Sequence, residues 1–327
     1  MNKIIVAIYF SIILGCNSSD KTKITEKNII YEFSDTFNND TIYFGSVRSI
    51  ESDTNNIYLS DFSLNNVFVL DYNLNFKYLL GSGGRGPSEL IGASSLAISN
   101  DSLLVYSAYD RKFNLYYNQS FINSYNLDNG VNYDSDLRFV FTEGSVYISD
   151  INERNSVSVL NILDGQTKFN ELLHYEGVDM DFVNFSQCHL VKYKDYLVLV
   201  LDNQPTIYFY NINTNEISYT YTYKHMPEVS GRIKFIRERV KGDAEIVQDI
   251  SIDGDFLYLL IHTNDPNKDF KWDCNTVLCL NISGNDTYIE SVYEFKNYGF
   301  SNIEVRDNSL FTIDEISGNF YKFDLIK

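Results

Sequence analysis

Short apolar runs separated by polar turns recur along the chain, and two of these segments are close copies. Residues 57–71 read IYLSDFSLNNVFVLD and residues 311–324 read FTIDEISGNFYKFD. In both copies an Asp, Asp61 or Asp314, ends an apolar strand, and an alternating strand follows a short polar turn. Alternation of apolar and polar residues predicts half-buried β-strands. Similarity between distant segments indicates a repeat protein.

Four further strand pairs lie between these two copies. The paired segments are 103–107 with 113–117, 145–150 with 157–161, 196–202 with 206–212, and 256–262 with 276–282. An outer strand such as 76–80 and the next inner strand, such as 94–99, fit between successive pairs. Four antiparallel strands in roughly 40 to 50 residues is the period of a β-propeller blade. The pattern predicts an all-β, six-bladed β-propeller over residues 28–327, with a β-solenoid or sandwich as the alternative.

The two ends of the propeller segment complement each other. The sequence ends at Lys327, after the third strand of the last blade, and residues 28–34 form an additional strand before the first inner strand, 42–49. Placing residues 28–34 on the last blade removes an open sheet edge. We therefore expect the N-terminal strand to close the ring.

The first residues have the order of an export signal. Lys3 precedes an apolar run, residues 4–14, which is shorter than the about 20 residues needed to span a bilayer. Residues 13–16, ILGC, resemble a bacterial lipobox. This resemblance implies a signal peptide over residues 1–15, acylation of Cys16 and a tether over residues 16–27. It also implies a location at the outer membrane, on either its periplasmic or its surface-exposed side. The alternative is an ordinary secretory signal.

Composition excludes several classes of protein. Hydrophobic residues make up 44% of the 327, enough for a large core. The net charge of -18 repels polyanions, so nucleic acid is not an expected partner. After Cys16 only Cys188, Cys274 and Cys279 remain, which excludes a disulfide framework but leaves a Cys274–Cys279 pair open. We expect a monomer.

The most distinctive turn is residues 81–90, GSGGRGPSEL, between two predicted blades. It resembles the blade junction G-x-G-P-G-E of six-bladed β-propeller lipoproteins of Bacteroidota, relatives of NHL-repeat and TolB-like propellers, with Ser88 where Gly is usual. Glycines here can expose amide groups to an anion, which makes Arg85 and Glu89 candidate ligand-binding residues. Alternatively, both residues bond to neighbouring backbone in a tight turn.

A basic segment interrupts the strand rhythm at residues 225–242. Its apolar spacing predicts a short amphipathic helix at the end of the propeller where the blade junctions lie. Arg232, Arg237 and Arg239 are candidates to bind an anionic ligand such as an acidic sugar or a carboxylate. A solvated helix paired with the acidic surface is the alternative.

The long loop of the fifth blade, residues 263–275, is expected at the same end. Asp265, Asn267 and Asp269 have the first ligand spacings of a calcium loop, but Phe270 occupies the glycine position and no Glu completes the set. Calcium is therefore a weak candidate and no other cofactor is expected. Trp272 is a candidate platform for a sugar ring, or a side chain packed on the next blade.

The sequence contains no recognisable hydrolase motif, and its four His residues are scattered. The inner strands place His189 and Lys192 near the channel, together with Arg48, Arg138 and Asp249. We expect an envelope-anchored lipoprotein that binds a glycan, peptide or protein at the funnel end of the propeller, with no catalytic residues assigned. The alternative is a calcium-assisted hydrolase or lyase with its site in the channel.

Overall fold

The described residues form a ring of β-sheets. The computed structural model describes residues 31–39, 42–127, 137–150, 156–164, 170–174, 187–239, 245–263, 274–284 and 286–326. Within these residues, 24 strands form six four-stranded antiparallel sheets. The predicted six-bladed β-propeller is confirmed.

Each blade runs from an inner strand at the ring axis to an outer strand. The inner strands are β2 (Val47–Ser52), β6 (Ala93–Ser99), β10 (Phe139–Thr142), β14 (Cys188–Tyr193), β18 (Val247–Asp253) and β22 (Phe300–Arg306). The second strands are β3 (Ile57–Asp61), β7 (Ser102–Ser107), β11 (Ser145–Asp150), β15 (Tyr196–Leu201), β19 (Phe256–His262) and β23 (Ser309–Asp314). The third strands are β4 (Asn66–Leu70), β8 (Lys112–Tyr117), β12 (Ser156–Asn161), β16 (Thr206–Asn211), β20 (Cys274–Asn281) and β24 (Phe320–Leu325). The outer strands are β1 (Tyr31–Thr36), β5 (Phe76–Leu80), β9 (Ser120–Asn126), β13 (Asn170–His174), β17 (Glu216–Thr222) and β21 (Tyr288–Glu294).

The ring closes through the N-terminal strand. β1 pairs antiparallel with β24, with Tyr31 opposite Leu325 and Phe33 opposite Phe323, and so supplies the outer strand of the last blade. The predicted closure is therefore confirmed, although the described strand covers Tyr31–Thr36 where residues 28–34 were expected.

The first inner strand differs from the prediction. It covers Val47–Ser52, where the sequence pattern predicted residues 42–49. The amide groups of Gly45 and Ser46 donate to the side-chain carboxylate of Asp61, at 2.6 and 3.1 Å, and not to the backbone of a neighbouring strand. The apolar pattern before β2 reflects packing of Ile42 and Phe44 beside the core, because both lie against the cluster between the last and first blades.

The hydrophobic core is divided among the boundaries between neighbouring blades. In the described residues, each of six buried clusters draws its side chains from two adjacent sheets. One cluster joins Phe311 and Phe320 of the last blade to Leu59 and Phe68 of the first. Because burial of apolar surface is the main stabilising contribution, these contacts hold the ring shut in addition to the β1–β24 ladder.

One helix, α1 (Pro227–Arg239), links the outer strand of the fourth blade to β18. It begins with a Pro, which is favoured at the first helical position, and Glu228 lies in its first turn. Val229 is buried and Ile233 packs beside it against the core between the fourth and fifth blades. The predicted helix in the basic segment is confirmed.

Candidate functional site

Two cavities lie on the ring axis and share residues at their meeting point. The larger, which we call the junction funnel, has a volume of about 740 Å³ and opens where the blade-to-blade junctions lie. A second cavity of about 620 Å³ opens at the other end. Glu51, Val191 and Ile250 line both cavities and form the waist of the channel.

The junction funnel is polar and carries more acidic than basic groups. Its lining includes serine hydroxyls from several strands and the amides of Gln248 and Asn302. Its charged lining residues, among those that the structure describes, are Arg48, Arg138, Glu51, Glu245, Asp249 and Glu315. A concave site of this size with a few convergent polar groups is typical of a ligand pocket.

Arg138 links three blades at the wall of the junction funnel. It lies just before β10, and its Nη1 is 3.2 Å from Oδ2 of Asp202, the residue that follows β15. Its Nη2 is 3.5 Å from Oε1 of Glu245, in the junction before β18. The guanidinium is thus flanked by two carboxylates, and the pair with Asp202 is largely shielded from solvent.

Asp202 occupies a position that has a structural role in other blades. Asp61 and Asp314, at the same end of their second strands, accept hydrogen bonds from junction amides of Gly45 and Gly299. In the fourth blade the carboxylate instead faces Arg138. Burial raises the pKa of Asp202 to about 7, Arg138 opposes this increase, and Glu245 adds to it. In the fourth blade the residue at this repeat position therefore holds Arg138, which lines the funnel.

His189, on β14, lines the junction funnel and is buried, with 6% of its surface exposed. Its Nδ1 lies 4.0 Å from Oδ1 of Asp249. Its Nε2 has no hydrogen-bond partner among the described residues. Burial lowers the pKa of His189 well below its usual range, the charge of Arg138 lowers it further, and a backbone hydrogen bond with Val247 partly opposes both. The imidazole is therefore neutral at neutral pH.

Three carboxyl groups approach one another at and below the waist. Burial raises the pKa of Glu51 well above its usual range, and the neighbouring charges of Glu304 and Asp249 raise it further. Burial raises the pKa of Asp249 to about 6, although its Oδ2 accepts a 2.8 Å bond from the amide of Ile303. Burial also raises the pKa of Glu304 to about 7, against the hydrogen bonds donated by Ser52 and Ser251.

His262, on the fifth blade, lies next to the ion pairs of Arg138. Nε2 of His262 lies 3.0 Å from Oε1 of Gln248 and 4.0 Å from Oε2 of Glu245. Because the Gln carbonyl oxygen can only accept, His262 donates this hydrogen bond. Gln248 and Glu245 are thereby held at the funnel wall.

Arg85 and Glu89 lie in the glycine-rich junction between the first and second blades, outside the lining of the junction funnel. Arg85 is 84% exposed, with Nε 3.8 Å from Oδ1 of Asp110. Oε2 of Glu89 accepts a 2.6 Å bond from the amide of Gly86. Gly84 has φ +154°, and a Cβ at this residue would lie 2.1 Å from that same oxygen. Glu89 thus bonds to the backbone of a tight turn, as the alternative interpretation expected, whereas Arg85 faces the side chain of Asp110.

Arg232 is buried, and its Nε donates a 2.9 Å bond to the carbonyl of Glu245. It therefore positions the backbone that carries one of the carboxylates around Arg138. Arg237 and Arg239 lie in the last turn of α1, but their side chains are outside the described part of the chain.

Several other predicted residues also lie outside the described residues. They are Asp265, Asn267, Asp269 and Trp272 in the fifth-blade loop, and the predicted lipidation site, Cys16. Cys274 and Cys279 are described, and both are buried on β20 and not joined by a disulfide. Among the described residues, no group of three or more His, Cys, Asp or Glu is placed to hold a metal ion. No helix in the described ranges is long and apolar enough to cross a membrane.

The expectations for the channel are confirmed for most of the residues concerned. Arg48, Arg138, His189 and Asp249 line the junction funnel. Lys192 is absent from the described lining of both cavities, and its ammonium group bonds to the carbonyl of Lys194. Sequence reasoning did not identify Glu51, Asp202, Glu245, His262 or Glu304 as site residues.

Comparisons with solved structures agree with the fold. A member of the DUF4221 family from Bacteroides vulgatus superposes with a TM-score of 0.59 at 12% identity, covering 91% of this chain and 99% of that one. A Bacteroides fragilis protein named for its expected export gives a TM-score of 0.55 at 14% identity, covering 91% and 95%. A catalytically inactive virginiamycin B lyase from Staphylococcus aureus, bound to quinupristin, gives 0.55 at 14% identity, covering 91% and 100%.

At these identities the similarity concerns the fold alone. Among curated proteins, none matches this chain. A family model described as DUF5128, 6-bladed beta-propeller, matches residues 16–276, which is well over half of the sequence. The chain therefore belongs to this family of six-bladed β-propellers.

Proposed function

We propose that this protein is an extracytoplasmic binding protein, anchored by lipid at Cys16, that takes a small polar ligand in the junction funnel. The ligand is a glycan, a peptide or an exposed segment of an envelope protein. The observation that carries the proposal is the buried Nε2 of His189, which lines a cavity of about 740 Å³ and has no partner among the described residues. A buried polar atom without a partner costs free energy that a ligand can recover.

The organisation of the wall supports a binding role. Arg138 is held by carboxylates from two other blades, and Arg232 fixes the backbone of one of them. Side chains held in this way lose little conformational entropy when a ligand binds. Blade junctions and turns are also the parts of a propeller that can vary without changing the ring. The calcium-dependent channel enzyme stays an alternative prediction.

The location rests on separate observations. The N-terminal residues have the order of an export signal followed by a lipobox-like ILGC. One structurally similar protein from Bacteroides fragilis bears a name that indicates export. We infer that the propeller is held at a membrane surface outside the cytoplasm, with residues 16–27 as the tether.

Ser301→Trp should block ligand binding at the junction funnel. Ser301 lines the funnel at an irregularity of β22, so a large side chain would project into the cavity without disturbing the Arg138 network. We expect any glycan or peptide found by thermal-shift screening to bind at least about tenfold more weakly to this variant in calorimetry.

Ser120→Trp is the matched control, because Ser120 is exposed on the outer strand β9. It should bind like the wild type. Undiminished binding to Ser301→Trp, with an unchanged melting temperature, would move the site elsewhere. A full glycan and peptide panel without any thermal shift would contradict the binding role itself.

Lipid attachment is tested separately in cells. Labelling with radioactive palmitate should mark the wild type and leave Cys16→Ser unlabelled, because the acyl chains would be carried by that Cys. The variant should also leave the membrane fraction, since stable anchoring depends on the chains. Equal labelling of the two proteins would refute the anchor.

A further inference from the structure

The unsatisfied nitrogen of His189 is a hydrogen-bond acceptor. The backbone bond with Val247 favours the protonated imidazole, so in that bond the ring donates. Because Nε2 has no partner among the described residues, the donor is Nδ1. A neutral ring protonated at Nδ1 has a lone pair on Nε2. The ligand atom that meets this lone pair must therefore be a donor.

The lining of the junction funnel carries more carboxyl groups than cations. Glu51 lines the waist, and burial together with the neighbouring charges of Glu304 and Asp249 raises the pKa of its carboxyl group. Arg138, whose charge acts on His189 and on Asp249, is already flanked by Asp202 and Glu245. Arg48 lies over the ring of Phe62, 5.4 Å from its centroid. The funnel therefore has acidic groups in excess of the cations that could neutralise them.

We propose that the junction funnel binds a primary ammonium group of its ligand, which donates to Nε2 of His189 and is attracted by the carboxyl groups that line the same cavity, Glu51 and Asp249 among them. This inference rests on the proposed binding function and specifies its ligand class. An ammonium group has three N–H donors and no acceptor, which matches an imidazole lone pair in a cavity lined by acceptor groups. A carboxylate or sulfate ligand would instead meet a lone pair and a lining with more acidic than basic groups.

The charge of the whole protein favours the same class of ligand. At a net charge of -18, the surrounding field attracts cations and raises their local concentration at an acidic cleft. A primary ammonium is carried by unacetylated amino sugars and by lysine side chains or free N-termini of peptides. These two sources share the chemistry recognised by the funnel, and the experiment separates them.

The test uses two matched pairs of probes and calorimetry on the mature protein. The first pair is the trisaccharide of glucosamine and the trisaccharide of N-acetylglucosamine. The second is the tripeptide Gly-Lys-Gly with both termini blocked and the same peptide acetylated on the lysine. Titrations at pH 8 and about 0.15 M salt screen attraction to the exposed surface.

We expect at least one ammonium probe to bind on the order of 30-fold more tightly than its acetylated partner. Glu51→Gln should remove most of that difference, because it replaces a carboxylate by an uncharged amide of similar shape. Glu216→Gln, at an exposed position on β17, should leave the difference unchanged. Melting temperatures of both variants report whether the propeller is intact.

Three results would overturn the ammonium assignment. They are equal affinity for the two members of each pair, a preference that persists in Glu51→Gln, and no binding of either ammonium probe at millimolar concentration. If acetylated probes bind and Ser301→Trp still blocks them, the funnel is a ligand site for a different chemistry. In that case the proposed function stands although the ammonium assignment fails.

Discussion

Replacing Asp61 by Ala should lower the free energy of unfolding by about 4 kcal/mol. Asp61 is fully buried at the end of β3. Its carboxylate accepts hydrogen bonds from the amides of Gly45, Ser46, Ser63 and Leu64, at distances of 2.6 to 3.1 Å, and from the hydroxyl of Ser63. Removing it leaves several amide groups without a partner, and each unsatisfied buried donor costs about 1–3 kcal/mol before local relaxation.

Urea denaturation followed by far-ultraviolet circular dichroism measures this change. Asp286→Ala, at an exposed position before β21, is the control and should change stability by less than about 0.5 kcal/mol. Asp61→Asn should fall between the two, because the amide keeps one acceptor oxygen but directs N–H groups at other donors. A loss below about 1 kcal/mol in Asp61→Ala would mean that water replaces the carboxylate at the first blade junction.

The strands of this propeller can be predicted because each blade repeats the same local chemistry. Segments such as 256–262 alternate or run apolar between polar turns, and the corresponding strand covers Phe256–His262. The closing role of the N-terminus also follows from the sequence, since the last blade otherwise lacks a strand. The error at residues 42–49 has a local cause. An apolar pattern does not distinguish a strand from a packed loop whose amide groups bond to a side chain such as Asp61.

The funnel is harder to predict, because its residues come from different blades. Asp202 lies 64 residues after Arg138 in the chain, and Glu245 lies 107 residues after it. Only the ring places them together. The sequence does carry one usable signal: Asp202 stands at the end of a second strand, where Asp61 and Asp314 stand in their own blades. An Asp at this repeat position that does not bind junction amides, as Asp61 and Asp314 do, is a candidate for another role.

The carboxyl groups near the waist are equally hard to recognise as a site from the sequence. Glu51 and Glu304 lie on β2 and β22, the inner strands of the first and last blades. Neither belongs to a motif, and each follows ordinary strand alternation. Glu304 raises the pKa of Glu51 only because the closed ring brings the two strands together. Buried groups that disfavour their own ionisation reduce stability, and such groups are retained where function requires them.

Glu304→Gln should therefore stabilise the protein at alkaline pH. The pKa of Glu304 rises from 4.5 to about 7 on folding, mainly because burial disfavours the charged form. Between these values the native state binds a proton that the unfolded state releases, so the wild type loses stability as pH rises through about 7. The Gln variant has no such titration. From about pH 4.5 to pH 8, its stability relative to the wild type should increase by roughly 3 kcal/mol.

Urea denaturation at several pH values across that window measures the difference. Glu294→Gln, on the exposed outer strand β21, is the matched control, and its stability should remain parallel to that of the wild type. Glu304→Gln also removes a charge that raises the pKa of Glu51. The pH dependence of the stability difference therefore measures proton release by Glu304 and Glu51 together and not by one residue alone. Parallel pH profiles for Glu304→Gln and the wild type would show that the waist is solvated well enough to hold Glu304 ionised. The argument that the funnel binds a cationic group would then be weaker.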